Sequence, residues 1–482
     1  MDLMTTRNLL RSASKNNLVE TVCGLRDPKL RVIVEYSSPN VAKPFHVGHL
    51  RSTIIGRFVC NVLRSAGHSV TAINYLGDWG TQFGMLVQGL RLSSLNLSDA
   101  SRLSSKQLAE VYSLAHRTDD PAVAESARRF FWAMENGHAE ERHLWQSICS
   151  IGIAELEKVY GQLGAHFDFL ERESQYAEEA KELVTRWLAN SLVDCGDDGV
   201  IGFRTKDRFV PLCKSDGSTL YIARDLAAAI ARRKIHHPDR IYYVVDSGQT
   251  RHFDDLKTVM SGVGLPDLAA NLFHVKFGKV RNTSTRQGKG VLVTDLLSEG
   301  TRTAQRILQL SPTTKVGPEM FEEIGCRLAL TALIVRDFKQ HRHVDYEFSW
   351  EKALQAKGAT GYQLQATHAR LNSLCEKYIP LEGNVGSALD TLVEPEAVAL
   401  VEHLRCSCLA NALLKAYSDL EPYPLVQYLF RLCKLSNSAH KRLRIAGTAR
   451  DQGAARYALF STAQLALHHC LCLLGIEPLN KL

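Results

Sequence analysis

Hydrophobic positions follow two periods along this chain, and where the period changes the architecture is expected to change with it. The run "RVIVEYSS" (31 to 38) is rich in β-branched residues and leads into Ser-Pro-Asn, the mark of a strand entering a turn. From His46 to Ala66 the apolar residues Leu50, Ile54, Ile55, Phe58 and Val62 recur at helical spacing, and "SVTAINYLGDWG" (69 to 80) predicts a second strand. Strand, helix and strand within about forty-five residues make a βαβ unit, whose right-handed crossover builds a parallel sheet. The first region therefore reads as doubly wound α/β.

A charge-rich helical stretch from about 100 to 190 follows, after which "GVIGFRT" (199 to 205), "DRFVPL" (207 to 212) and "DRIYYVVD" (239 to 246) restore strand character. The sheet is expected to resume after that insertion. From about residue 300 the period is mostly 3.6, in "ALTALIVRDF" (329 to 338), "YPLVQYLFRLCKLSNSAHKRL" (423 to 443) and "ARYALFSTAQLALHHCLCLLGI" (455 to 476), so the last third reads as a helical bundle. The expected loop within it is "IPLEGNVGSALD" (379 to 390), and there is neither an internal repeat nor a low-complexity segment. The boundaries expected are an N-terminal extension over 1–29 and a Rossmann-like domain over 30–300 carrying the helical insertion. A helical connection over 301–350 and an all-α domain over 351–482 complete the chain.

Composition narrows the class. With 482 residues and 45% hydrophobic content the chain has room for two or three globular domains. Its 58 basic and 51 acidic residues give +7, which permits a polyanionic partner without demanding one. The twelve cysteines are scattered, the nearest pairs being Cys406/Cys408 and Cys470/Cys472, with no Cys-x-x-Cys, so neither a zinc ribbon nor a disulfide framework is indicated. No run approaches the ~18 to 20 apolar residues of a bilayer span, and a soluble protein in a reducing compartment, with no membrane partner, is expected. "MDLMTTRNLLRSASKNNLVETV" carries Arg7, Arg11 and Lys15 and no acid between Asp2 and Glu20. That suits either a mitochondrial transit segment or an ordinary N-terminal helix.

The candidate chemistry begins at "SSPNVAKPFHVGHLRSTIIG" (37 to 56). His46 and His49 stand at i and i+3, on nearly the same side of a helix, and invite three readings: a metal site, a chance pair in a core, or a nucleotide cradle. A metal site lacks partners, since no further Cys or His follows His49 within ten residues, and none is predicted. The cradle gains from position. The pair lies where the first strand of a parallel sheet turns into its helix, at the carboxyl end where such sheets bind ligands. Gly48 removes a side chain there, and helix N-terminal amides favour phosphate. No P-loop sequence exists, and Lys43 can instead bring a point charge to a triphosphate.

Pro39-Asn40, Lys43 and His46-Val47-Gly48-His49 together resemble the first signature of class I aminoacyl-tRNA synthetases. With "LRSTIIG" and "NYLGDWGTQFG" (74 to 84) the stretch is similar to the arginyl-tRNA synthetases in particular, above all their mitochondrial-type members. The likeness runs from about residue 30 to "LCLLGIEP", which resembles the end of the family's anticodon-binding helical domain. It implies arginine-tRNA ligase activity with L-arginine, ATP with Mg2+, and tRNA-Arg as partners, no tightly bound cofactor, a monomer, and a mitochondrial matrix location with the cytoplasm as alternative.

The resemblance assigns residues, and most can also be judged on their chemistry. Tyr221 and Asp225 stand at i and i+4, so a ring and a carboxylate reach one point, as a guanidinium requires; taken alone, the same spacing suits a solvated helix face. Gln249 follows a strand and resembles the glutamine that closes the family's arginine site. The resemblance also places Ser38, Pro39 and Asn40 around the amino and carboxyl groups with His49 nearby, and assigns Glu35 and Glu173 to the cationic substrate. The flanks of Glu173, in "FLERESQY", depart from the family's Gly-Glu-Ser. Lys43, His46, Gly48, His49, Ser284, Thr285 and Arg286 would hold ATP, and Lys43, His46, His49 and Arg286 would act in catalysis.

Two departures stand out. The second signature, Lys-Met-Ser-Lys-Ser in most class I enzymes, corresponds to "FGKVRNTSTRQGKG" (277 to 290), which keeps Ser284, Thr285, Arg286 and Gly288 but has Thr283 and Gln287 where a known variant has Met and Lys. Its missing lysine leaves the charge on departing pyrophosphate to Lys43, with Lys289 as a second source; a basic loop without catalytic use is the other reading. The family usually has an N-terminal domain of about a hundred residues that contacts the tRNA elbow; about thirty residues precede the first strand here, so elbow recognition in that manner is not expected. On the tRNA side, Arg431, Lys434, Lys441, Arg442 and Arg444 lie in an acid-free stretch between Pro422 and Arg450, and either track phosphates or form a solvated face. The alternative to a ligase is a non-catalytic tRNA-binding or regulatory protein with a decayed second loop. Joint survival of Asn40, Lys43, His46, His49, Tyr221, Asp225 and Gln249 favours the enzyme.

Overall fold

The buried run Val32-Ile33-Val34 forms the strand that the sequence predicts, β1 (Arg31–Glu35), in a computed structural model of the chain. The structure describes residues 3–43, 45–93, 103, 105–118, 120–281, 292–312, 314–349, 353–355, 358–378 and 387–482. Internal contacts divide it into two units, Arg31–Thr53 with Thr71–Lys276, and Met1–Leu30 with Ile54–Val70 and Phe277–Leu482.

The first unit is built on a parallel sheet. After β1 come the helix Val47–Ser65 and β2 (Ser69–Leu76), as the periodicity predicts. The insertion then supplies the helices Ser105–Arg117, Pro121–Glu135 and Ala139–Leu163. It also contains a strand that the helical reading of 100 to 190 passes over, β3 (Phe169–Arg172), paired in parallel with β2 from Ile73↔Phe169 to Leu76↔Arg172. β3 is a short edge strand whose residues are largely exposed, so it lacks the apolar run that marks β1. The strands expected at 199 to 212 form, but outside this sheet. β4 (Asp194–Cys195), β5 (Ile201–Arg204) and β6 (Phe209–Cys213) make an antiparallel sheet of their own that feeds the helix Tyr221–His236. The main sheet resumes with β7 (Arg240–Asp246), parallel to β1 from Val32↔Arg240 to Glu35↔Tyr243, and ends with β8 (Leu272–Phe277).

The order β3-β2-β1-β7-β8 fixes where a ligand can sit. From β1 the chain first builds outward through β2 and β3, then returns to the other side of β1 for β7 and β8. The crevice outside the carboxyl ends of β1 and β7 is therefore the topological switch point. Beneath it Ile33, Ile73, Leu226, Tyr243, Phe253 and Leu256 belong to one buried cluster. In the insertion, close approach is enforced by Gly84, where a Cβ would lie 2.1 Å from the Ala127 carbonyl oxygen.

The second unit is helical, with Phe321–Phe338, Gly361–Tyr378, Tyr423–Arg442 and Arg450–Leu473 as its long members. Of the loop expected at 379 to 390, residues 379–386 lie outside the described residues, and Ser387–Thr391 form a short 3-10 turn. The N-terminal segment forms two helices, Leu3–Ser12 and Leu18–Cys23. The first packs on Arg450–Leu473: Leu3 and Leu10 are buried, His469 Nε2 lies 2.9 Å from the Leu10 carbonyl, and the Arg7 guanidinium sits 5.6 Å from the Tyr457 ring centre. Among the described residues no single helix is long and apolar enough to cross a membrane.

Candidate active site

The turn that leaves β1 is strained. Ser37 and Ser38 both take left-handed backbone angles, φ 70° and 41°, a conformation that costs an L residue on the order of 1 kcal/mol. Hydrogen bonds from several elements hold it there. The Ser37 amide donates to Ser52 Oγ at 2.9 Å, Ser37 Oγ meets Tyr160 OH at 2.8 Å, and Thr53 Oγ1 donates to Ser37 Oγ at 2.8 Å. The Ser38 amide donates to Asn74 Oδ1 at 3.1 Å, while Ser38 Oγ donates to Glu35 Oε1 at 3.2 Å and accepts from the Tyr75 amide at 3.3 Å. The turn continues through Pro39 to Asn40, whose Oδ1 accepts from the Ala42 amide at 3.0 Å. Its two ends present opposite chemistry.

At the downstream end the helix starts at Val47, so His46 precedes it rather than sharing its face with His49. The rings stack instead, centres 3.9 Å apart and planes 24° from parallel. His46 Nδ1 accepts from the Gly48 amide at 3.1 Å, and His49 Nδ1 is 3.3 Å from the His46 amide. Both neutral rings then carry their proton on Nε2, as outward donors. Burial and the charge of Lys43 lower the His46 pKa, and burial, His46 and Lys43 take His49 well below the ordinary value, so both are neutral near pH 7. Gly48 serves the stack itself, since a Cβ there would lie 2.9 Å from His46 Cε1. Lys43 is exposed, its ammonium 5.9 Å from the Tyr112 ring centre.

At the upstream end is a nest of carboxylates. Glu35 is buried at the end of β1 with Oε2 2.6 Å from Arg232 Nη1, and Arg232 also donates Nε and Nη2 to Glu171 Oε2 at 2.9 and 2.7 Å. The Arg232 guanidinium, 1% exposed, lies 5.1 and 5.8 Å from the ring centres of Tyr75 and Tyr243. Glu173 accepts from Arg224 Nε at 2.7 Å, and Arg224 is anchored on the Thr219 carbonyl. Asp225 accepts from His252 Nε2 at 2.8 Å, and its Oδ1 has no protein partner among the described residues. Tyr221, 65% exposed, stands one turn before Asp225, its ring centre 6.3 Å from that of His252. Gln249 ends the short turn after β7, exposed at the same carboxyl edge of the sheet.

Four carboxylates (Glu35, Glu171, Glu173, Asp225) thus share two guanidiniums (Arg224, Arg232) and the imidazole of His252, so acids outnumber the groups that can carry positive charge. The crowding is visible in the titration of its members. Burial pushes the Glu35 carboxyl up to about 7 against the pull of Arg232, and Asp225 adds to the rise. Burial does the same to Glu173, again to about 7, with Arg224 opposing and Asp225 reinforcing. A cation entering beside Asp225 relieves all three.

Sequence reasoning brings Ser38, Asn40, His46, His49, Tyr221, Asp225 and Gln249 to one end of one sheet, and the structure places them there. It gives Glu35 and Glu173 internal arginine partners that the sequence did not announce. Arg224, Arg232 and His252 were missed, and so was Glu171, which lies in the overlooked β3. The available signal was two arginines eight apart on the alanine-rich buried face of the Tyr221–His236 helix. Ser284, Thr285, Arg286 and Lys289 lie outside the described residues.

In the helical unit Arg431, Lys434, Lys441, Arg442 and Arg444 are all exposed, and Arg442 pairs with Glu396 at 3.7 Å. Lys441 and Arg444 line a groove of 1090 Å³ together with Lys315, Arg370, Lys377 and Asn437. Burial, with the cations Arg370 and Lys315, lowers the pKa of His440 on the same wall.

Residues 15–350 match the tRNA synthetases class I (R), catalytic domain, and residues 364–482 match the DALR anticodon binding domain. The chain is 37% identical over 471 residues, 94% of its length and 79% of the relative's, to a "Probable arginine--tRNA ligase, mitochondrial" of Bos taurus. It is 33% identical, over 94% of its length and 81% of the relative's, to a "Probable arginine--tRNA ligase, cytoplasmic" of Dictyostelium discoideum. The solved arginyl-tRNA synthetase of Plasmodium falciparum superposes with a TM-score of 0.76 at 25% identity, covering 100% of this chain and 83% of that one. A parallel sheet with its site at the β1/β7 switch point, a helical C-terminal unit and relatives above one third identity almost end to end agree: the chain belongs to the class I arginyl-tRNA synthetases.

Proposed function

We propose that the strained turn after β1 divides the labour of an arginine-tRNA ligase between its two ends. The chain is an arginine-tRNA ligase: the arginine carboxylate attacks the α-phosphorus of ATP, the bond to the β-phosphate breaks, and pyrophosphate leaves. A terminal ribose hydroxyl of tRNA-Arg then attacks the carbonyl of the arginyl-adenylate and releases AMP. Such a reaction needs a cation pocket and an oxyanion-stabilising edge close together and no covalent enzyme intermediate.

In this reading Asp225 takes the guanidinium with Tyr221 against its plane, Glu35 and Glu173 supply negative field, and Gln249 closes the site. Ser38, Pro39 and Asn40 hold the amino and carboxyl groups. His46 and His49 offer Nε2–H donors to phosphate at the helix N-terminus, and Lys43 supplies the charge that the altered second signature lacks, with Ser284, Thr285 and Arg286 assigned to ATP and Lys289 as a second source of charge. Magnesium would enter on the phosphates of ATP. The basic groove lined by Lys441 and Arg444 takes the tRNA, and the exposed Arg431, Lys434 and Arg442 add further positive charge for its phosphates. A monomer in the mitochondrial matrix, with no membrane partner, completes the proposal. The import signal would then overlap helices that the folded helical unit buries.

The observation that carries this reading is the single turn that ties Glu35 through Ser38 to the acid nest and runs on into the histidine pair. Pyrophosphate exchange with arginine, with and without tRNA-Arg, tests it. Exchange is expected with tRNA, and its absence in both conditions sinks the proposal in favour of a non-catalytic tRNA-binding protein. Lys43→Ala is expected to lower exchange by roughly a hundredfold and Lys289→Ala far less. The reverse ranking overturns the role given to Lys43.

A further inference from the structure

We propose that His252 is a positioning residue for arginine: it aligns the Asp225 carboxylate toward the substrate guanidinium and makes arginine affinity depend on its own protonation. The proposal rests on the reading of Asp225 as the guanidinium's acceptor.

Each of the three acids around the pocket is held by an internal donor, but the donors differ. Glu35 and Glu173 are held by the permanent cations Arg232 and Arg224. Asp225 is held by an imidazole at 2.8 Å, the one donor of the three that can lose its charge without losing the hydrogen bond. A neutral His252 with its proton on Nε2 still donates to Asp225 Oδ2, and the carboxylate keeps its full negative charge. A protonated His252 leaves the geometry unchanged and cancels that charge. An arginine at Asp225 would have cost the site much of its field; a histidine orients the group and can leave the charge to the substrate.

The surroundings of His252 set where the change falls. Asp225 faces it from the Tyr221–His236 helix, Glu35 acts from β1, and Asp255 stands on its own helix, Thr250–Gly262, paired there with Arg208 and, at 4.0 Å, with Arg251. The Tyr221 and Phe253 rings complete the wall, the latter with its centre 5.4 Å away. Burial opposes the charged ring, but the hydrogen bond and charge of Asp225, with Asp255 and Glu35 behind it, hold the His252 pKa above the ordinary histidine value of 6.5. Without substrate the ring is therefore charged at mildly acidic pH, and an arriving guanidinium must displace its proton. Arginine binding weakens as pH falls.

The test is the pH profile of the KM for arginine in aminoacylation of tRNA-Arg by the full chain, with the KM for ATP measured in parallel. In the wild type the arginine KM is expected to rise about tenfold from pH 8 to pH 6, with the ATP KM changing less than about twofold. His252→Gln keeps an N–H donor and cannot titrate, so its arginine KM rises much less than the wild type's across that range, by only the share that Glu35 and Glu173, both near 7, contribute. His252→Phe loses the donor and raises the arginine KM at every pH, with kcat lowered much less, and the glutamine variant recovers most of that loss. An acid rise as steep in His252→Gln as in the wild type, or a phenylalanine variant with an unaltered arginine KM, overturns the role of His252. Asp225→Asn separates this from the reading beneath it: a loss of arginine affinity of roughly a hundredfold is expected, and an unchanged KM there refutes Asp225 as the acceptor.

Discussion

Replacing Arg232 by methionine removes the cation at the centre of the acid nest while keeping an apolar chain of similar length. Four hydrogen bonds go with it, to Glu35 Oε2, twice to Glu171 Oε2, and to Tyr243 OH at 3.3 Å, together with the guanidinium's contacts to the Tyr75 and Tyr243 rings. The larger cost is what stays behind, a Glu35 carboxylate buried without a counter-charge. Breaking a buried ion pair in this way costs about 3–5 kcal/mol, and for a unit of this size that lowers the melting temperature by roughly 10 °C. The loss has a sign in pH. Burial already raises the Glu35 pKa in the folded state, to about 7 from 4.5, and Arg232 is the group that restrains it. A carboxyl raised on folding stabilises the fold below its unfolded pKa, and that contribution is lost as pH rises through the folded value. Without Arg232 the folded value climbs further, so the variant falls behind the wild type more at pH 8 than at pH 5.5. Thermal unfolding at the two pH values, repeated in Arg232→Met/Glu35→Gln, reads this directly. The second change is expected to restore about 1–2 kcal/mol at pH 8. A cost that is independent of pH and untouched by Glu35→Gln would refute the assignment of Arg232 as the counter-charge of Glu35.

Two further predictions concern the helical unit. His368 is fully buried with Nδ1 2.8 Å from the Leu479 carbonyl, and burial depresses its pKa to about 4. Because the unfolded chain binds that proton near 6.5, stability should fall by about 3 kcal/mol as pH drops from 6.5 toward 4, and His368→Gln, followed by urea unfolding, should flatten that fall. Leu10→Ala, in the buried face of the Leu3–Ser12 helix, should cost about 2–4 kcal/mol in the same assay, whereas a dispensable leader would lose nothing.

How much of this was legible in the sequence depends on how local the signal is. β1, β2, β7 and the Val47–Ser65 helix were readable because their apolar periods are set by burial in the sheet's own layers. β3 was not, since an exposed four-residue edge strand inside a helical stretch has no such period. β5 and β6 were found as strands but assigned to the wrong sheet, because alternation shows that a strand exists and not which edge it joins. The site followed the same rule. Residues on one turn or one helix, such as Asn40 with His46 and His49 or Tyr221 with Asp225, declare themselves by spacing. Partners such as Glu35 with Arg232, 197 positions apart, exist only once the sheet has formed.

The neutrality of the histidine pair answers a physical problem posed by the fold. The reaction needs a negative pocket for a guanidinium and a positive edge for phosphate, and here both hang on the few residues between Glu35 and His49. Burial, together with Lys43, keeps His46 and His49 uncharged, so on the proposed reading they would meet phosphate as neutral Nε2–H donors beside the helix N-terminus. The one full positive charge on the turn, Lys43, is exposed, where water screens it from the acid nest until a triphosphate arrives to claim it. On the proposed reading, an exposed lysine thus supplies charge on the phosphate side, while buried arginines hold the carboxylates in place on the arginine side. That is why loss of Lys43 should slow the chemistry, while loss of Arg232 should first unsettle the fold.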